Sequence, residues 1–173
     1  MPLDKKKGIL FWVTGLSGAG KTSISNKIYQ RIKDTHGKTF YINGDEMRKI
    51  FDLKSYDNSD RKKGGIKYSK LFKKITDQNI NVLFAGMALF DDVRKWNRIN
   101  VKNYLEIYIK TSLKNIIKKK YTKIYKKKTK LVGIDIKPEF PKKPDIIINN
   151  NFNKSIENLS NELILKINKK LKT

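Results

Sequence analysis

The sequence predicts an α/β fold, a parallel sheet with helices on both faces. Three observations point there. Short apolar runs alternate with longer stretches of helical periodicity along all 173 residues. The run INVLFAG at 80–86 is apolar almost throughout, as a strand buried on both faces requires. A glycine-rich turn, GLSGAGKT at 15–22, joins the first apolar run to the first periodic stretch, which is the strand–loop–helix order of a phosphate-binding fold.

The elements follow in order. Residues 8–14 (GILFWVT) are a short buried strand. Residues 21–35 carry Ile24, Ile28 and Ile32 at i, i+4 and i+8, one stripe of a helix that His36-Gly37 ends. TFYIN at 39–43 is the second strand, and GDEMRKIF begins a turn and short helix. Residues 60–78 read as a helix with Tyr68, Leu71, Phe72 and Ile75 on one face, leading to the third strand at 80–86. A helix over 91–100, a strand over 103–110 and a basic helix over 112–128 come next. LVGIDIKPEFPKKPD holds three prolines and is irregular. A last strand at 145–150 precedes a terminal helix over 154–171, with Ile156, Leu159, Leu163 and Ile167 periodic. No repeat or linker interrupts this series, so the expectation is one domain over residues 1–173.

Composition narrows the function. The net charge is +24, from 40 Lys plus Arg against 16 Asp plus Glu. Only Arg31, Arg48, Arg61, Arg94 and Arg98 are arginines, whereas proteins that read base edges favour the bidentate guanidinium. Lysine spread over every segment reads as a solvated surface, and the abundance of Lys, Asn and Ile suits an AT-rich genome. Such a field still draws anionic small molecules toward a cleft. With no cysteine, disulfides, thiolate zinc sites and a thiol nucleophile are excluded. No run approaches the ~18 apolar residues of a membrane helix. The short apolar run near the N-terminus is broken at once by the glycine-rich loop, unlike a signal peptide. A cytoplasmic protein is the expectation, with no membrane partner.

The motif G-x-x-x-x-G-K-[ST] is matched in full by Gly15, Gly20, Lys21 and Thr22. Its glycines let amides converge on an anion, and the following helix N-terminus adds favourable partial charge. Lys21 can reach the outer phosphates of a nucleoside triphosphate, and the Thr22 hydroxyl can ligate Mg²⁺. Gly15, Ser17, Gly18, Ala19, Gly20, Lys21, Thr22 and Ser23 are therefore the expected ATP-binding residues of a P-loop NTPase or kinase fold. A GTPase would need DxxG after a strand and NKxD; DTHG at 34–37 ends a helix, and NKKL at 168–171 lacks the aspartate. A motor ATPase would need acidic residues ending a strand, and INVLFAGMAL has none. A small-molecule kinase remains. Its metal and acceptor then need another carboxylate, and Asp45, just past the second strand, is the candidate general base. Asp45 would otherwise serve as a helix N-cap. Arg48 lies one turn on and Arg61 sits in SDRKKGG; each is an anion-binding candidate or a plain surface arginine.

Together these segments resemble the adenylylsulfate kinase family, which phosphorylates the 3′-hydroxyl of adenosine 5′-phosphosulfate with MgATP. FWVTGLSGAGKT is similar to the family's P-loop, INGDEMR to its DGDNxR, and the D-R of SDRKKG to its E-D-R. IYKK at 124–127 is similar to its lid, and GIDIKPEFPKKPD to its GID…YE.P..PD. The resemblance implies a lid over roughly 118–144 and a homodimer. It makes Asp45 and Lys21 catalytic and gives Arg48 and Arg61 the acceptor's anionic 5′ group. It places Tyr56, Met87, Ala88 and Leu89 at the acceptor, with Lys126 and Lys127 over the transferring phosphate.

The departures concentrate on the acceptor side. Where the family has Asn after the D-R pair, this chain has Gly64; FISPF becomes GMALF, with Ala88 for Ser and Leu89 for Pro; and KLVGID lacks the stacking Phe of the family's lid. That pattern resembles the branch of the family in Campylobacter-type capsule gene clusters, which implies cytidine 5′-diphosphoramidate as the acceptor. A conventional adenylylsulfate kinase is the alternative. A polynucleotide kinase or nucleic-acid-binding protein is a further one, resting on the basic stretch Lys114–Lys130. A lid with a solvated helix face explains that stretch equally, so the expected partner is a small nucleotide rather than nucleic acid.

Overall fold

The computed structural model describes residues 3–55, 57–119 and 132–172. Among these, five strands form one parallel sheet in the order β2-β3-β1-β4-β5. The strands are β1 (Ile9–Thr14), β2 (Thr39–Asn43), β3 (Asn81–Ala85), β4 (Asn103–Lys110) and β5 (Ile146–Asn149). The helices are α1 (Lys21–His36), α2 (Gly44–Ile50), α3 (Asn58–Thr76), α4 (Asp91–Asn100), α5 (Leu113–Lys118) and α6 (Ile156–Leu171). β1 is central, hydrogen-bonded to β3 on one side and β4 on the other, so all six of its residues are buried. This is why its sequence is apolar without alternation.

Period-two alternation divides β1 between two cores. Ile9, Phe11 and Val13 face α1 and α6, where Ile24, Ile28, Ile32, Leu159, Leu163 and Ile167 are buried. Leu10 and Trp12 face the other layer, with Met47 of α2, Tyr68 and Phe72 of α3, and Val93 of α4. Helices therefore cover both faces of the sheet, as the sequence predicts.

Two helices differ from the sequence reading. The third helix starts two residues earlier and turns Leu71 outward, 38% exposed. Its buried face is instead Gly64, Gly65, Tyr68, Ser69, Phe72 and Thr76, a four-residue spacing that leaves Leu71 on the flank. The helix expected over 112–128 is described only as Leu113–Lys118, and residues 120–128 of that expectation lie outside the described residues. No helix among the described residues is long and apolar enough to cross a membrane.

Candidate active site at the carboxyl ends of β1, β2 and β3

The loops after β1, β2 and β3 enclose a cleft of about 560 Å³. Such crevices at the carboxyl ends of parallel strands are where ligands bind in open α/β sheets. At one end is the P-loop. Gly15, Gly18 and Gly20 have φ of 153°, 79° and 91°, conformations that L side chains rarely adopt. A Cβ on Gly15 would also lie 2.5 Å from the Ile109 carbonyl oxygen of β4. Gly20 is the N-cap of α1, which has no side-chain cap and no acidic residue in its first turn. Its N-terminal amides and partial positive charge face the cleft, where an anion would supply what no side chain does.

Lys21 is folded back into this loop. It is 9% exposed, and its Nζ donates to the Leu16 carbonyl at 2.7 Å. Burial pulls its pKa down to about 8, and the negative charge of Asp45 opposes that fall. The ammonium thus sits in a site built for phosphate oxygens and is held there by a backbone carbonyl. Ser17, Gly18, Gly20, Thr22 and Ser23 line the same end. Ala19 does not line the cleft: it is fully buried, and its carbonyl accepts from Asn150 Nδ2 at 3.0 Å.

Asp45 stands across from Lys21, on the first turn of α2. The structure removes the capping role the sequence allowed it. Asn43 is the N-cap; its Oδ1 accepts from the Asp45 and Glu46 amides, both at 3.0 Å. Glu46 Oε2 accepts from the Asn43 amide at 2.9 Å, completing a capping box. With α2 capped by its neighbours, the Asp45 carboxylate is left to the cleft.

Beyond Asp45 the walls become apolar and aromatic: Leu53, Tyr68, Phe84 and Phe90, with Met87 and Ala88. Arg48 and Arg61 line this half as well. Arg48 is oriented by main-chain carbonyls, with Nη2 donating to Leu53 O and to Ser55 O, the latter at 2.7 Å. The Thr14 hydroxyl at the end of β1 holds the Met87 carbonyl at 2.8 Å. Leu89, expected at the acceptor, is not brought there. It is fully buried and packs with Leu16, Ile116 and Val132 beneath the loop. Tyr56, Lys126 and Lys127 lie outside the described residues.

Sequence reasoning missed Leu53, Tyr68, Phe84 and Phe90 as cleft residues. Tyr68 and Phe84 carried only core signals, since both also belong to the apolar layer beneath α3. Gly64, which replaces a family Asn, shows what changed beside it. A Cβ there would lie 2.7 Å from Leu53 Cδ1, so a leucine methyl occupies the adjoining space.

Comparison with known proteins agrees with this architecture. The family model for adenylylsulphate kinase matches residues 7–149. A cytidine diphosphoramidate kinase of Campylobacter jejuni is 34% identical over 167 residues, covering 94% of this chain and 97% of that protein. An adenylyl-sulfate kinase of Buchnera aphidicola is 30% identical, covering 91% of this chain and 78% of that one. The Mycobacterium tuberculosis APS kinase, solved in complex with AMPPNP and APS, superposes with a TM-score of 0.80 at 22% identity, over 93% of this chain and 98% of that one. This chain belongs to the adenylylsulphate kinase family and, like the kinases it matches, is a phosphotransferase.

Proposed function

We propose that this kinase transfers the γ-phosphate of ATP to the ribose 3′-hydroxyl of a nucleotide, with cytidine 5′-diphosphoramidate as the acceptor. The observation that carries the reaction type is the order of groups along one cleft. A P-loop with a buried lysine comes first, then a carboxylate spared from helix capping, then an aromatic recess flanked by two guanidinium groups. The triphosphate lies against the P-loop amides and Lys21. Asp45 accepts the proton of the attacking hydroxyl, and Lys21 neutralises charge on the transferring group. The recess holds the base, while Arg48 and Arg61 hold the tetrahedral anionic group at the 5′ end.

The donor set suits Mg²⁺. Thr22 offers a hydroxyl at the head of α1, Asp45 offers a carboxylate opposite, and phosphate oxygens and waters supply the rest, as this ion prefers. Among the described residues no group of three acidic, His or Cys side chains competes for another metal. When bound, the ion would neutralise charge on the β- and γ-phosphates.

Cytidine as the base rests on the Campylobacter relative and on the acceptor-side departures. Gly64 and Ala88 remove polar side chains, and Leu53 fills space beside Gly64. A buried polar partner lost in this way costs about 1–3 kcal/mol unless the substrate no longer needs it. The second reading, adenosine 5′-phosphosulfate, is favoured by the family itself and by the paired guanidiniums, which suit a sulfate equally. A coupled kinase assay with MgATP, offering both acceptors in parallel, separates them. Turnover of the cytidine compound with little on the phosphosulfate is the expected result; the reverse preference would sink the cytidine assignment.

A further inference from the structure

The β3–α4 loop, residues 86–90, carries Met87 and Ala88 on the cleft wall, yet the helix it feeds begins without a local cap. The N-cap position of α4 is Phe90, which has no side-chain acceptor to offer. The acceptor comes from 48 residues away: Glu139 Oε2 takes the Asp91 amide at 2.5 Å. The same residue uses its backbone on both this loop and α4. Its amide donates to Leu89 O at 3.1 Å, and its carbonyl accepts from Arg94 Nη2 at 2.6 Å. Arg94, 4% exposed, also donates to the Ala88 carbonyl at 3.4 Å. The other carboxylate oxygen of Glu139 pairs with Lys62 Nζ at 3.3 Å, and Lys62 is the neighbour of Arg61 on α3.

We propose that Glu139 is a positioning residue for the acceptor. It caps α4 in place of Phe90 and ties the 86–90 loop to α3, setting the width of the recess between Ala88 and Arg61. Its carboxylate suits the positive end of α4, and its second oxygen makes the Lys62 pair a link between the two walls. The phosphate end of the cleft is anchored separately, through Lys21 to Leu16 and Asn150 to Ala19, and shares none of these bonds. Loss of Glu139 therefore misplaces the acceptor and leaves ATP where it was, a misplacement to which in-line transfer is sensitive. The inference rests on the reading of that half of the cleft as the acceptor site.

The test is steady-state kinetics on Glu139→Ala and Glu139→Gln, with MgATP and cytidine 5′-diphosphoramidate, or adenosine 5′-phosphosulfate if the wild type prefers it. Glu139→Ala is expected to raise the acceptor KM about tenfold while the KM for MgATP moves less than about twofold. Glu139→Gln, which keeps an oxygen for the Asp91 amide, is expected to recover most of that loss. A fall in melting temperature with both KM values unchanged, or moved together, would overturn the proposal. Should Glu139→Ala not fold, Glu139→Asp withdraws the carboxylate by one methylene and carries the same expectation, and equal KM changes would again overturn it. Ala88→Leu intrudes on the wall directly. If it raises the acceptor KM and the Glu139 variants do not, the positioning role is wrong and the acceptor site stands. If neither variant moves the acceptor KM, the reading of that half of the cleft fails along with the inference.

Discussion

The buried ammonium of Lys21 makes nucleotide affinity depend on alkaline pH. Burial lowers its pKa from 10.5 to about 8, with Asp45 holding it from falling further. Only the protonated form can pair with a phosphate, so nucleotide binding draws a proton onto Lys21 wherever the free enzyme has lost it. The dissociation constant should be flat with respect to this group below pH 8 and should rise toward tenfold per unit above it. At pH 9.5 the weakening is about 30-fold, or about 2 kcal/mol. A lysine with its ordinary pKa would give about 10% at the same pH. Isothermal titration with Mg²⁺ and a non-hydrolysable ATP analogue between pH 7 and 9.5 measures this, and uptake of roughly one proton per nucleotide near pH 9 would accompany it. Stability of the free protein should run in the opposite sense. The folded state holds Lys21 at the lower pKa, so the unfolded chain binds more protons between about pH 8 and 10.5. The burial penalty, about 3 kcal/mol, is fully present below pH 8 and is relieved as pH rises through that window. An affinity that stays level to pH 9.5 would refute the claim that Lys21 is desolvated in the empty loop.

Other outcomes follow from the same geometry. Asp45→Asn should lower kcat by about 10²–10⁴ with little change in the KM for MgATP, as loss of a general base does, and should move the alkaline break in affinity below pH 8; unchanged turnover would remove Asp45 from the chemistry. Asn43→Ala breaks the capping box of α2 and should cost about 1 kcal/mol in urea unfolding. Turnover should fall with it, because Asp45 sits on the first turn of that helix; full activity would mean that the turn is held by other contacts. Glu106, 3% exposed on β4, faces Arg94 and Arg98 with N···O distances of 3.4 and 3.0 Å. Burial pushes its carboxyl up, while Arg98 and Arg94 pull it back. Glu106→Ala removes one of the two carboxylates paired with the buried Arg94, Asp91 being the other, and should destabilise the fold by about 2–3 kcal/mol at pH 7; a loss below about 1 kcal/mol would show that Asp91 and solvent compensate for it.

Much of the site could be read in the sequence because its chemistry is local. Gly15 to Thr22 is one contiguous loop between a strand and a helix, and its Ser17, Gly18, Gly20, Lys21 and Thr22 line the cleft together, while Ala19 does not. Asp45 follows a strand by two residues, so its approach to the cleft needed only the rule that ligands gather at the carboxyl ends of parallel strands. Met87, Ala88 and Leu89 were expected at the acceptor from the family resemblance alone; Met87 and Ala88 line the cleft, and Leu89 does not. An apolar residue beside a cleft can turn either way, and packing with Leu16, Ile116 and Val132 settled its direction. Asn43 was legible in principle: Asn followed three residues later by Glu is a capping signature that would have released Asp45 from that role. Phe84 could be seen as buried, but burial alone does not say that a ring edge borders a cavity.

By itself the sequence determined the succession of strands and helices, the phosphate loop and the presence of an acidic residue just past the second strand. These arise from periodicity and short-range backbone geometry, which act within a few residues. The tertiary structure decided which groups share the cleft and which are diverted from it. Leu89 is drawn away by Leu16, Ile116 and Val132, Ala19 is turned into the core beside Asn150, and Glu139 caps a helix that begins 48 residues before it. Such choices depend on hydrogen bonds and contacts between segments far apart in the chain. Their partners are set by where the sheet order brings each segment, and no local spacing encodes that.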